Sequence, residues 1–183
     1  MKLVILDRDG VINKDTSYRV LKPEQWEPIT NSIEAIVKLK QAGHTVVIAT
    51  NQSIIAKQQA TLEDLEAVHG KMQQILSQYN CQIDQIFVCP HQSIDNCYCR
   101  KPKPGMLLEI ENKYHIDFAT QVIPFVGDSI IDLLAGSQVG ALPVLVKTGK
   151  GIQTVAAPET THIKNLLIFD DLNAFVDYWL QVH

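Results

Sequence analysis

The sequence predicts an α/β fold in three layers, with a central parallel sheet covered by helices on both faces. Two observations predict it. Short apolar runs bounded by turn residues alternate with longer stretches of helical periodicity along the whole chain. Such alternation is what parallel strands joined by crossover helices require. Polar residues suited to chemistry stand just after the apolar runs, at Asp7 and Asp9, at Thr50 and Asn51, and at Asp128. In open α/β sheets ligands bind beyond the carboxyl ends of the strands, so pattern and placement agree.

The elements follow in order. Residues 2–7 (KLVILD) read as a buried strand, apolar from Leu3 to Leu6 and ended by Asp7. That run is too short for a signal-peptide core of roughly 7–15 residues. Residues 31–42 read as a helix with Ile33, Ile36, Val37 and Leu39 on one face. Asn31 is expected to cap it, Glu34 to complete a capping box, and Gly43 to stop it. Residues 45–50 (TVVIAT) form a second strand. A longer helix spans about 61–78, with Thr61 as cap, Asp64 at the third position, and Leu62, Leu65, Val68, Met72, Ile75 and Leu76 at helical spacing. A strand at 83–88 leads into a loop from Cys89 to Pro104 and a helix at 105–114. A strand at 122–127, a short helix at 130–138 and a strand at 143–146 follow. A last strand at 166–169 and a helix at 171–181 close the chain. No repeat or linker divides the 183 residues, so one domain is expected.

Composition narrows the function classes. With 46% hydrophobic and 20% charged residues, the chain can build a core and is not of the disordered type. A net charge of −4 argues against the basic face of a nucleic-acid binder. No stretch approaches the ~20 apolar residues of a membrane-spanning helix, and a cytoplasmic location is expected.

Four segments carry the chemistry. In Asp7-Arg8-Asp9-Gly10, two carboxylates two apart at a strand end can reach one site if the chain turns, which Gly10 permits. Alone, they equally suit a solvated polar loop. Thr50-Asn51-Gln52-Ser53 offers a hydroxyl and backbone N–H groups as a phosphate seat, or simply a helix cap. Arg100-Lys101-Pro102-Lys103-Pro104-Gly105 puts three cations in four residues, stiffened by prolines. It can hold an anion or lie solvated. Gly127-Asp128-Ser129, with Asp132 further on, can add a carboxylate to a magnesium shell or cap the next helix.

Each segment is ambiguous alone, but their order is not. The sequence resembles the haloacid-dehalogenase-like phosphatases, which carry DxD, then Thr or Ser, then Lys, then Asp in this order. The resemblance runs from residue 2 to about 150 and implies a Rossmann-like sheet without a large cap domain. It implies Asp7 as nucleophile, forming an aspartyl-phosphate, and Asp9 as acid and then base. Thr50 and Lys101 would hold the transferring phosphoryl group. Mg²⁺ would be held by a carboxylate oxygen of Asp7, the backbone carbonyl of Asp9, and Asp128. The physics is consistent: an anionic nucleophile approaching phosphate needs Mg²⁺ and Lys101 to offset repulsion.

Cys89, His91, Cys97 and Cys99 are spaced C-x-H-x5-C-x-C within the 89–104 loop. Three thiolates and an imidazole can close a tetrahedral zinc shell. A closed shell leaves no open position, so this Zn²⁺ would be structural and would brace the loop that delivers Arg100 and Lys101. Free buried thiols are the other reading. Cys81 lies outside the motif and reads as packing; His69, on the long helix, reads as needing no functional role.

A finer resemblance is to the D-glycero-D-manno-heptose-1,7-bisphosphate 7-phosphatases. It rests on DRDGVIN (7–13), TNQS (50–53), CPH (89–91), CYCRKPKPGM (97–106), VGDS (126–129) and LVKTGKG (145–151). It implies substrate contacts from Asp15, Thr16, Ser17, Tyr18, Asn51, Gln52, Ser53, Arg100 and Lys101, with Arg100 recognising the sugar or its second phosphate. It implies a small sugar phosphate as partner, in heptose synthesis for lipopolysaccharide or related glycans. The chain departs from that family's TNQSGIARG run at Ile54, Lys57 and Gln58, and has Ser129 and Ile131 where a Lys and a Glu are common. Lost glycines restrict backbone approach to a ligand, and Lys for Arg loses bidentate phosphate contact. Ile54 and Lys57 are thereby expected to reshape the pocket rim. A histidinol-phosphate phosphatase, another sugar-phosphate phosphatase, a non-catalytic binding protein of the same fold, and a zinc-binding interaction module are the alternatives. A monomer is expected.

Overall fold

The computed structural model of the protein describes residues 2–15 and 19–183. Six strands, β1 Leu3–Leu6, β2 Thr45–Asn51, β3 Gln85–Cys89, β4 Pro124–Gly127, β5 Leu142–Val146 and β6 Leu167–Phe169, form one sheet in the order β3-β2-β1-β4-β5-β6. Every pairing is parallel. Among the described residues, six α-helices accompany them: α1 Ser32–Gln41, α2 Leu62–Ser77, α3 Gly105–Tyr114, α4 Ile130–Val139, α5 Gly151–Ala156 and α6 Leu172–Val182.

The alternation of side chains along buried strands makes the layers. Val4 and Leu6 of β1 join Val46 and Ile48 of β2 in one core. Ile36 and Leu39 of α1, Val68 and Met72 of α2, and Phe175 and Trp179 of α6 cover that face. Leu3 and Ile5 point the other way, with Val47, Ala49, Phe87 and Phe125, under Met106, Leu107 and Ile110 of α3 and Ala135 of α4. A strand buried on both faces has to read as a continuous apolar run, which is why the first strand does.

The strand order positions the site. β1 pairs β2 on one side and β4 on the other. The chain builds outward from β1 to β3, then returns to β4 beside β1. Loops leaving β1 and β4 therefore diverge and open a crevice at their carboxyl ends. Asp7 follows β1 and donates its N–H to the Val126 carbonyl at 2.8 Å. Asp128 follows β4, and Thr50 lies near the end of β2.

Local signals hold in part. Thr61 and Asp64 form the expected capping box: Thr61 Oγ1 accepts from Asp64 N–H at 3.1 Å, and Asp64 Oδ2 accepts from Thr61 N–H at 2.9 Å. The capping role expected of Asn31 is not there. Asn31 takes a left-handed φ of 65° and its side chain caps nothing. The preceding segment is tied to the β1 loop through Ile29 N–H to Ile12 C=O. Entering α1 from there needs a left-handed residue, which Asn tolerates. β3 is set later than the 83–88 reading, because Asp84 turns back to accept from Val46 N–H at 2.7 Å while Cys89 pairs with Asn51. β4 begins at Pro124, and Val122 is exposed.

Candidate active site

A cavity of about 370 Å³ sits at the carboxyl ends of β1, β2 and β4, lined by Asp7, Asp9, Thr50, Asn51, Gln52, Ser53, Arg100, Lys101 and Asp128 among others. A larger, mostly apolar cavity of about 710 Å³ lies at the amino ends of β4 and β5, beside Val122, Leu134 and Pro143, away from these groups.

Lys101 anchors the floor. Its Nζ lies 2.9 Å from Asp7 Oδ1 and 2.6 Å from Asp132 Oδ1, and donates to the Ala49 carbonyl at 2.8 Å. Burial alone would pull the amine down, but the carboxylates of Asp132 and Asp7 more than offset it and hold Lys101 above the ordinary lysine range. Asp132 is fully buried. It also accepts from Ser129 N–H and Oγ at 3.1 and 2.6 Å. Ser129, not Asp128, is thus the residue capping α4, and Asp128 is left to the cavity.

Asp128 is set in a glycine collar. Its Oδ2 accepts from Lys150 N–H at 2.8 Å. A Cβ on Gly10 or Gly149 would meet that oxygen at 2.0 or 2.1 Å, and both glycines have positive φ, 85° and 56°. Oxygens of Asp7, Asp128 and Asp132 all lie within 4.8 Å of one another. Burial, then the neighbouring carboxylates Asp7 and Asp132, push Asp128 up to about 7. Burial pushes Asp7 up to about 6 despite Lys101. Buried acids crowded in this way call for a cation. With Asp132 taken by Lys101 and Ser129, Asp7 and Asp128 remain, an all-oxygen set that suits Mg²⁺.

Asp9 lives differently. Its carboxylate accepts from Arg8 Nε and Nη2 at 2.9–3.1 Å, Asn13 Nδ2 at 2.9 Å and Gln52 Nε2 at 2.9 Å. Burial would raise it, yet Arg8 and these amides hold it below the usual carboxylate range. With that carboxylate engaged, the backbone carbonyl is what Asp9 can offer a metal. Arg8 is itself fully buried, and its Nη1 lies 3.1 Å from His69 Nε2 of α2. Burial and the Arg8 charge push His69 down to about 4.

The second strand loop is a polar seat. Gln52 Nε2 donates to Thr50 Oγ1 at 2.9 Å. Asn51 clamps the Lys101 backbone, donating to its carbonyl and accepting its N–H, both at 3.1 Å. Around the mouth, Arg19 Nη1 donates to Ser53 Oγ at 3.1 Å, and Lys150 Nζ meets Asp15 Oδ2 at 2.8 Å. Arg100 lines the cavity and donates to the His91 carbonyl at 3.0 Å.

Cys89, His91, Cys97 and Cys99 converge as their spacing suggested. The three sulfurs are 3.3–3.6 Å apart, and His91 Nδ1 is 3.3 Å from Cys99 Sγ and 3.7 Å from Cys89 Sγ. Burial, with its hydrogen bonding to Cys99, pushes the Cys89 thiol up to about 12. A cation would reverse that, and four N/S donors at tetrahedral edge lengths suit Zn²⁺.

A family model described as polynucleotide kinase 3 phosphatase matches residues 2–139. The chain is 48% identical over 179 residues to the D-glycero-beta-D-manno-heptose-1,7-bisphosphate 7-phosphatase of Pseudomonas aeruginosa, covering 98% of each, and 49% identical over 176 residues to that of Pseudomonas putida, covering 95% of this chain and 97% of the relative. It superposes with a TM-score of 0.95 and 42% identity, over the whole of both chains, on the crystal structure of a D,D-heptose 1,7-bisphosphate phosphatase from B. bronchiseptica complexed with magnesium and phosphate. The chain belongs to the heptose-bisphosphate phosphatase family of haloacid-dehalogenase-like enzymes. As in that family, it is a magnesium-dependent phosphatase fold without a large cap, and its Cys/His cluster can hold zinc.

Against the family expectation, Asp7, Asp9, Asp15, Thr50, Asn51, Gln52, Ser53, Arg100, Lys101 and Asp128 all line the one cavity. Thr16, Ser17 and Tyr18 lie outside the described residues. Of the departures, Ile54 lines the cavity and is buried, whereas Lys57 is exposed and off it, so Lys57 does not shape the rim as expected. Gln58 takes a left-handed φ of 54°, the conformation its glycine counterpart adopts freely. Sequence reasoning missed Arg19 and Lys150 at the rim and the Asp132 contact to Lys101. The Ser129-x-x-Asp132 capping-box spacing marked Asp132 in the sequence, but nothing there marked its contact to Lys101.

Proposed function

We propose that this chain hydrolyses the 7-phosphate of D-glycero-D-manno-heptose 1,7-bisphosphate, through an aspartyl-phosphate on Asp7. The observation that carries this reading is the Asp7–Lys101–Asp128 constellation at the sheet's switch point, in a chain so similar to heptose-bisphosphate phosphatases. Asp7 Oδ attacks phosphorus, the ester bond to the sugar oxygen breaks, and that oxygen takes the Asp9 proton. Asp9 then takes a proton from water, which attacks phosphorus; the bond from Asp7 Oδ to phosphorus breaks, releasing inorganic phosphate and the free Asp7 carboxylate. In the free protein Asp9 is held low. A phosphate dianion in the cavity sets a second anion beside it and favours its protonated form. Lys101 and Thr50 hold the equatorial oxygens. Magnesium, held by Asp7, Asp128 and the Asp9 carbonyl, neutralises charge on the transferring group. Asp15, Asn51, Gln52, Ser53 and Arg100 contact the sugar and its other phosphate, as would Thr16, Ser17 and Tyr18.

Zinc on Cys89, His91, Cys97 and Cys99 is structural in this reading. The 183 residues act as one domain, as a cytoplasmic monomer. No described helix is long and apolar enough to cross a membrane. The test is kcat/KM with magnesium on the α and β anomers of the heptose bisphosphate beside histidinol phosphate. Preference for either heptose anomer supports the reading; preference for histidinol phosphate rejects it.

A further inference from the structure

Arg8, between Asp7 and Asp9 in the sequence, is a cation with no exposure. Three of its nitrogens are accounted for. Nε and Nη2 grip Asp9, and Nη1 faces His69 Nε2 at 3.1 Å. A guanidinium only donates. Nε2 must therefore accept, which fixes His69 as the neutral tautomer with its proton on Nδ1. His69 stands on α2, does not line the cavity, and cannot touch substrate.

We infer that His69 is a positioning residue for the acid–base carboxylate of Asp9, acting through Arg8. The guanidinium is planar, so pinning its far edge to α2 fixes the plane of the near edge, and that edge fixes the Asp9 carboxylate. Without an acceptor at Nη1, a buried donor is left unpaired, and the plane is free to turn. Arg8 Nε and Nη2 still reach Asp9, but Asn13 and Gln52 are then the partners that set its aim independently of the guanidinium plane. Misplacement of a reacting group by about 1 Å can cost about 10²-fold in rate. The inference rests on the proposed role of Asp9.

The test uses kcat/KM, which reports steps through expulsion of the leaving group. A sugar alkoxide needs the Asp9 proton; a p-nitrophenolate hardly does. His69→Asn is too short to reach Arg8, His69→Leu cannot accept, and His69→Gln places an oxygen near the Nε2 position. We expect Asn and Leu to lower kcat/KM on a sugar phosphate about tenfold or more, but on p-nitrophenyl phosphate less than threefold, with Gln restoring the former. If Leu fails to fold, Asn against Gln carries the comparison. Equal losses on both esters, or none on either, overturn the inference. Asp9→Asn is the control: if it is inactive while His69→Asn matches wild type, only His69 is misassigned. Full sugar-phosphatase activity in Asp9→Asn would sink the acid–base reading as well.

Discussion

The floor and the rim of the cavity are built on different principles. On the floor, Asp7, Thr50, Lys101, Asp128 and Asp132 are each at most 9% exposed, and Lys101, Asp128 and Asp132 are held by two or more partners or packed against glycine. At the rim, long side chains meet in single pairs; Lys150 and Asp15 are 62% and 24% exposed in theirs. Groups fixed by burial and several partners cannot drift without leaving a charge unpaired. Exposed pairs contribute little and can change freely. Asp7, Thr50, Lys101 and Asp128 of the floor match the family pattern, whereas Ile54 and Ser129, which also line the cavity, depart from it.

Substitutions sharpen the contrast, and the largest effect belongs to Asp7. Asp7→Asn should lower kcat about 10⁴-fold or more on any phosphate ester. Stopped-flow or discontinuous phosphate release checks it, with mass spectrometry to exclude deamidation. Turnover within tenfold of wild type would remove Asp7 from the role of nucleophile. Lys101→Ala comes next, at about 10²–10³-fold in kcat, equally for bisphosphate and aryl phosphate. A loss confined to the bisphosphate would move Lys101 from floor to rim. Gly149→Ala should cost about tenfold, because its Cβ would stand 2.1 Å from Asp128 Oδ2. The apparent magnesium requirement should rise with it, and a titration that overlays wild type would show that the collar gives way. Smallest is Arg19→Ala: KM for a bisphosphate should rise about threefold, with p-nitrophenyl phosphate unaffected. A comparable loss on both substrates would break the division between rim and floor.

The floor was legible because chemistry constrains residue type and order together. Asp7, Thr50, Lys101 and Asp128 are recognisable from a strand end and a fixed sequence of motifs, and the topology then brings them side by side. The Cys/His cluster was legible from spacing alone. The Asn31 cap was not, because the choice of cap lay with the path into the helix: Ile29 is tied to Ile12, and local propensity yields to that tie. Helix α5 escaped for a related reason. Gly151–Ala156 is short, begins with glycine, and lacks an apolar repeat long enough to register. Arg19 escaped because a lone cation has no pattern; Lys150 lies in the matching LVKTGKG run, but only its contact with Asp15 gives it a place at the rim.

One adjacency has a practical side. Lys101 is two residues from Cys99, and its backbone is clamped by Asn51. A sample's preparation history should therefore show in its specific activity. Brief exposure to EDTA should be cured by adding back magnesium. Long incubation with a thiol-competing chelator should leave a population that magnesium cannot revive, with Asp7 and Asp128 intact but the lysine adrift. Batches differing only in purification buffer would then differ in active fraction rather than in KM.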